Sequence, residues 1–114
     1  MPKISSINKV SPIGTSFQGY LLSSYENIVR VYGDPMEGDY KTDVEWVIKW
    51  EDGLVGTIYN WKNGKNYLGE KGLEVEDITE WNIGGVKKIV ETRINNQVKN
   101  SWPIFDEIRM EAEE

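Results

Sequence analysis

Val44-Glu45-Trp46-Val47-Ile48-Lys49-Trp50, then Glu51-Asp52-Gly53, then Leu54-Val55-Gly56-Thr57-Ile58-Tyr59-Asn60-Trp61, is the stretch that decides the fold. Val44, Trp46, Ile48 and Trp50 are large and apolar at every second position, the period of a half-buried strand. Asp52-Gly53 has hairpin-turn chemistry, because glycine accepts the positive φ such turns need. Leu54 to Trp61 returns as the partner strand, with Leu54 and Ile58 on one face and Val55, Tyr59 and Trp61 on the other. Trp46 and Trp50, on the regular face, are core candidates.

Outward from the hairpin, the punctuation continues. Ile4, Ile7 and Val10 read as extended chain that breaks at Ser11-Pro12-Ile13-Gly14, and Phe17 to Leu22 as a second strand. Ser23 and Glu26 have capping-box spacing, and Ser24 is an alternative cap. Tyr25, Ile28, Val29 and Tyr32 fall on one helical face before Gly33 and Pro35 stop the helix. Met36 to Asp43 is a polar loop. Downstream, Asn63-Gly64 opens a long loop through Tyr67, Gly69 and Gly72, and Ile78 to Ile83 reads as a strand. Gly84-Gly85 then leads into Val86, Ile89, Val90 and Ile94, spaced for a helix. Trp102-Pro103 and Ile104 to Glu114 predict a short acidic terminal helix. The expectation is a single domain over residues 1–114, with a core from about residue 4 to 95 and a tail helix from about 102 to 114. Its class is α+β: an antiparallel sheet with helices packed on one face and a short C-terminal helix.

The 114 residues contain no cysteine and no histidine. Thiolate metal sites, disulfides and Ser–His or Cys–His catalysis are thereby excluded, and the commonest zinc ligand is missing. No catalytic residue, metal site or cofactor is expected. The net charge of −6 argues against direct nucleic-acid binding, which needs a basic footprint. No stretch approaches the roughly 20 apolar residues that span a bilayer, and no signal-peptide pattern stands at the start, so a cytoplasmic location is expected.

Four groupings are candidates for function. Asp34, Glu37, Asp39 and Asp43 crowd one loop, either as a solvated surface or as a divalent-cation site. Tyr59, Trp61 and Tyr67 flank Asn60, Lys62, Asn63 and Lys65. Aromatic faces beside amides and amines suit a planar anionic ligand, although a secondary core beneath the loop would use the same residues. Trp81-Asn82-Ile83-Gly84-Gly85 precedes a helix, where two glycines expose N–H groups as a phosphate cradle or serve as a plain connector. Asp106, Glu107, Glu111, Glu113 and Glu114 make the tail acidic, suited to a basic surface or to a frayed end.

As a block, Tyr25 to Pro35, Gly38 to Trp46, Asp52 to Lys62 and Trp81 to Gly85 resemble a widespread set of small phage and prophage proteins. The resemblance covers roughly residues 23–95. It implies a counter-defence protein acting in the host cytoplasm. One class it suggests is the viral nucleotide sponge, which sequesters the cyclic nucleotide or cyclic ADP-ribose signals of CBASS or Thoeris immunity. The other is the anti-CRISPR protein, whose acidic surface imitates DNA. The sponge is the expectation adopted, with Tyr59, Asn60, Trp61, Lys62, Lys65, Tyr67, Trp81, Asn82, Gly84 and Gly85 as ligand-binding residues. A homo-oligomer is expected, because a domain this small has little room for a deep cleft, with Trp102 and the terminal helix as candidate contacts.

Overall fold

In the computed structural model, which describes residues 2–100, the chain runs β1 (Ile4–Ile7), β2 (Ser16–Leu22), α1 (Tyr25–Tyr32), β3 (Met36–Glu37), β4 (Val44–Trp50), β5 (Val55–Tyr59), α2 (Lys65–Leu68), β6 (Glu80–Gly85) and α3 (Ile89–Asn100). All strand pairs are antiparallel in one sheet ordered β1-β4-β5-β6-β2, with β3 pairing β4 beside β1. This is the α+β fold that the hairpin and its flanking punctuation predict. The expected tail helix over residues 102–114, with Trp102, lies outside the described residues.

The hairpin forms as its turn chemistry requires. Gly53 sits at φ 89° and donates its N–H to the Trp50 carbonyl at 2.9 Å. The register pairs Glu45 with Tyr59, Trp46 with Ile58 and Ile48 with Gly56. The returning strand ends at Tyr59, so Trp61 stands outside the sheet. The next residue, Lys62, takes a left-handed φ of 59°.

Alternation then sorts the two faces. Trp46, Ile48, Trp50, Ile58, Trp81 and Ile83 are completely buried on one side, joined by Ile28 and Tyr32 from α1 and by Val90, Ile94 and Val98 from α3. Trp46 and Trp81 meet edge-to-face with centroids 5.5 Å apart, an arrangement the ring quadrupoles favour. Of the two possible caps of α1, Ser24 is used: its hydroxyl accepts from the Asn27 N–H at 3.1 Å.

Gly84 and Gly85 do not connect strand to helix. Both lie inside β6, where Gly85 pairs Gly56 and Gly84 pairs Thr57 and, across β2, Phe17. Gly56 and Gly85 form a bare patch under α3. A Cβ on Gly56 would stand 2.4 Å from a Val90 methyl, and one on Gly85 2.7 Å from the Val90 Cβ. The missing side chains let the helix approach the sheet closely. Because α3 begins only at Ile89, the phosphate-cradle expectation for Gly84-Gly85 is overturned. Their N–H groups belong to the sheet rather than to a helix start.

Candidate functional site

Glu45, Tyr59, Asn82 and Tyr20 are successive cross-strand neighbours on the sheet face opposite the tryptophan core, with Thr57, Gly84 and Phe17 one row along. Two turns rise over this face. One is the Pro12–Thr15 segment, closed by the Thr15 N–H and hydroxyl on the Pro12 carbonyl at 3.0 and 2.7 Å. The other is the Gly38–Thr42 segment, where the Asp39 carboxylate accepts from the N–H groups of Lys41 and Thr42 at 2.9 and 3.2 Å.

Between the turns lies an open cleft of about 480 Å³, floored by Glu45, Thr57, Tyr59 and Gly84 and walled by Phe17, Asp39 and Trp61. It runs on, past Phe17, Tyr59 and Trp61, into a hollow of about 370 Å³ beside Tyr20 and Asn82. Gly84 keeps the floor open, since a Cβ there would stand 2.5 Å from the Thr57 hydroxyl. Phe17 and Tyr20 pack edge-to-face at 5.1 Å, and Tyr59 and Trp61 at 6.1 Å.

Charges of both signs border the cleft. On the floor, burial and then the nearby Asp39 push the Glu45 carboxyl above the usual carboxylate range. Among the described residues, no cation or hydrogen-bond donor pairs with that carboxylate. Burial also raises the Tyr59 phenol; a hydrogen bond from Asn82 opposes the shift and Glu45 adds to it. Beside Trp61 the Lys62 N–H donates to the Lys41 carbonyl at 2.8 Å, which ties two basic residues together. The Lys41 and Lys62 ammonium groups lie over Trp61, 5.2 and 5.6 Å from the ring centroid, and Lys62 is also 5.3 Å from Tyr67.

The structure therefore divides the residues singled out by sequence. Tyr59, Trp61, Asn82 and Gly84 line the cleft, and Lys62 and Tyr67 flank it at Trp61. Lys65 is ion-paired with Glu74 at 3.0 Å. Asn60 is completely buried, so it makes no ligand contact. Its amide donates to Asp43 and Asn63 at 2.9 and 3.1 Å, and its carbonyl accepts from the N–H groups of Asp43 and Val44 at 2.9 and 3.2 Å. That network fastens the Gly38–Thr42 wall to the end of β5. Trp81 is likewise removed from the site: it is fully buried, with its indole N–H on the Ser23 carbonyl at 2.9 Å. Gly85 faces Val90, on the core side.

The sequence reading missed Glu45, Thr57, Phe17 and Tyr20. The signal for Glu45 was present: on a strand whose alternate positions are Trp46, Ile48 and Trp50, it stands on the opposite face, across from Tyr59. As for metals, no group of three or more acidic side chains that could hold an ion occurs among the described residues. No helix among them is long and apolar enough to cross a membrane. No protein-family model matches the chain, and neither do the curated proteins or the solved structures provide a match.

Proposed function

We propose that this chain binds a cyclic nucleotide in the outer-face cleft and sequesters it intact, as a phage-encoded inhibitor of host defence. One observation carries the proposal: an exposed tryptophan with two lysine ammonium groups over it borders an open aromatic cleft. Bases stack on aromatic faces whatever their identity, and phosphates seek clustered cations. Lys41 and Lys62 have long stems, so their ammonium groups can swing from the ring to a phosphate as a base takes their place. The volume falls in the range of small-ligand sites, about 300–1,000 Å³. Phe17, Tyr20 and Trp61 are all exposed, so a second copy closing over the cleft would bury both ligand and aromatic surface. A homo-oligomer belongs to the proposal for that reason. The rival DNA-mimic reading depends on Asp106, Glu107 and Glu111, which lie outside the described residues.

The test is calorimetry with a panel of cyclic oligonucleotides and cyclic ADP-ribose isomers, followed by heat denaturation and chromatography of the released ligand. Tight binding and recovery of unchanged nucleotide are expected. Absence of heat from every member, or recovery of a cleaved product, overturns the proposal.

A further inference from the structure

We infer that Glu45 reads the base, and that the preferred ligand carries guanine. The inference rests on the nucleotide reading above and adds the identity of the base. Glu45 is half-buried on the floor of an aromatic cleft, with no donor or cation paired to it among the described residues. A ligand lying over it displaces the water that solvates the carboxylate, which is costly unless that ligand brings donors. The floor contributes no positive charge to relieve it, and Asp39 on the adjoining turn adds a second negative one. A ligand that covers it gains by presenting hydrogen-bond donors there, and a ring lying between Phe17 and Trp61 presents them as N–H groups in its plane.

The bases differ in what they can offer. The Watson–Crick edge of guanine places N1–H beside the 2-amino group, two adjacent donors that match the two oxygens of a carboxylate. Such charge-assisted, paired bonds are the strong and geometrically selective kind. Hypoxanthine keeps N1–H but lacks the amino group. Adenine offers its 6-amino group beside N1 and N7, both acceptors, so a carboxylate gains one bond and faces a lone pair. Uracil and thymine set carbonyl oxygens against the anion on either side of their single N–H. A site that hydrogen-bonds a specific N–H rejects analogues lacking it more strongly than an apolar pocket rejects a missing methylene.

The two lysines beside Trp61 favour a neutral base over an organic cation. An ammonium ligand drawn to Glu45 and Asp39 would meet Lys41 and Lys62 around Trp61. A guanine nucleotide sets neutral donors on the acidic floor and carries its phosphates toward the lysines beside Trp61. Gly84 is what permits this approach, because a side chain there would project into the floor beside Thr57.

Calorimetry of cyclic di-GMP, cyclic di-IMP, cyclic di-AMP and tetramethylammonium chloride on the wild-type protein and on Glu45→Gln tests the inference. Wild type is expected to favour the guanine ligand over the hypoxanthine one by about tenfold to a hundredfold, the span expected of a paired base contact, and to bind the adenine ligand more weakly still. Glu45→Gln keeps nearly the same size and is expected to lose the guanine-over-hypoxanthine preference while its affinity for the adenine ligand does not fall. The wild-type comparison alone decides the matter should the variant fail to fold. Nucleotides binding with no regard to base, or a variant that keeps the preference, overturn the role of Glu45 and leave the nucleotide reading standing. Binding of tetramethylammonium with no nucleotide bound, or no binding at all, overturns both.

Discussion

Glu45 and Tyr59 are directly opposed across the β4–β5 pair, and both belong to the floor of the cleft. The same hairpin that buries Trp46 against Ile58 on one face therefore holds a carboxyl and a phenol side by side on the other. Burial raises both groups, and Glu45 further raises Tyr59. An ordinary solvated sheet face would leave them unperturbed.

Trp61→Ala is expected to weaken cyclic-nucleotide binding by about tenfold to a hundredfold, from the roughly 1–3 kcal/mol that a stacked base contributes. The thermal midpoint should hardly move, because Trp61 is 44% exposed and lies beyond the sheet. Lys62→Glu should also weaken binding, with a loss that shrinks as salt is added, since the contribution of an exposed charge is screened. Calorimetry at two ionic strengths, beside thermal melts, checks both.

Glu45→Gln is expected to stabilise the fold at neutral pH. A carboxyl whose folded pKa is raised binds its proton more tightly in the native state, so its charge opposes folding above that value. As pH falls through the raised pKa toward the ordinary glutamate value of about 4.3, the native carboxyl protonates and wild type regains what the charge had cost. Urea titrations at pH 7 and pH 4 should show the variant ahead at the first and the two proteins close together at the second. A variant less stable at pH 7 would mean that Glu45 has a stabilising partner.

Gly84→Ala and Gly85→Ala are neighbours with different expected outcomes. The first places a methyl against the Thr57 hydroxyl on the cleft floor, a contact that one side chain can relieve by rotating. It should reduce ligand affinity more than stability. The second drives a methyl into Val90 and pushes α3 off the sheet, at about 1–3 kcal/mol for overpacking. It should lower the denaturation midpoint. Equal effects of the two on stability would contradict the assignment of faces.

Asp52→Asn keeps the turn, since Asn-Gly is also a hairpin pair, but removes a charge. Arg93 of α3, only 7% exposed, donates to both Asp52 oxygens at 3.1 and 2.9 Å and lies over Trp50 at 5.0 Å. The Arg93 hydrogen bonds hold the Asp52 carboxyl below its usual range. This contribution is complete above the unfolded aspartate pKa of about 3.9 and is lost as pH falls through the lower folded value. The variant should be less stable than wild type at pH 7, and the gap should narrow below pH about 4. Denaturant midpoints across that range provide the check.

The hairpin, the extents of β4 and α1, the stop at Gly33 and the α+β class are legible in the sequence, because each is set by periodicity or by the chemistry of a few adjacent residues. Asp52-Gly53 specifies a turn and Gly33 a helix stop wherever they are placed. Gly84 and Gly85 carry no such local instruction. Without side chains they show no alternation, and they join β6 only because β5 and β2 pair with them from both sides while Val90 closes over Gly85. Asn60 looks like a surface loop amide until the tertiary structure surrounds it with Asp43, Val44 and Asn63. The cleft depends most on tertiary structure. Phe17 and Trp61 border the same hollow because β2 adds to the sheet beside β6, far along the chain from it, and Glu45 faces them because a strand must send alternate side chains to opposite faces. Local sequence sets turns, caps and periods, whereas a binding surface is made by strand order, which long-range pairing alone decides.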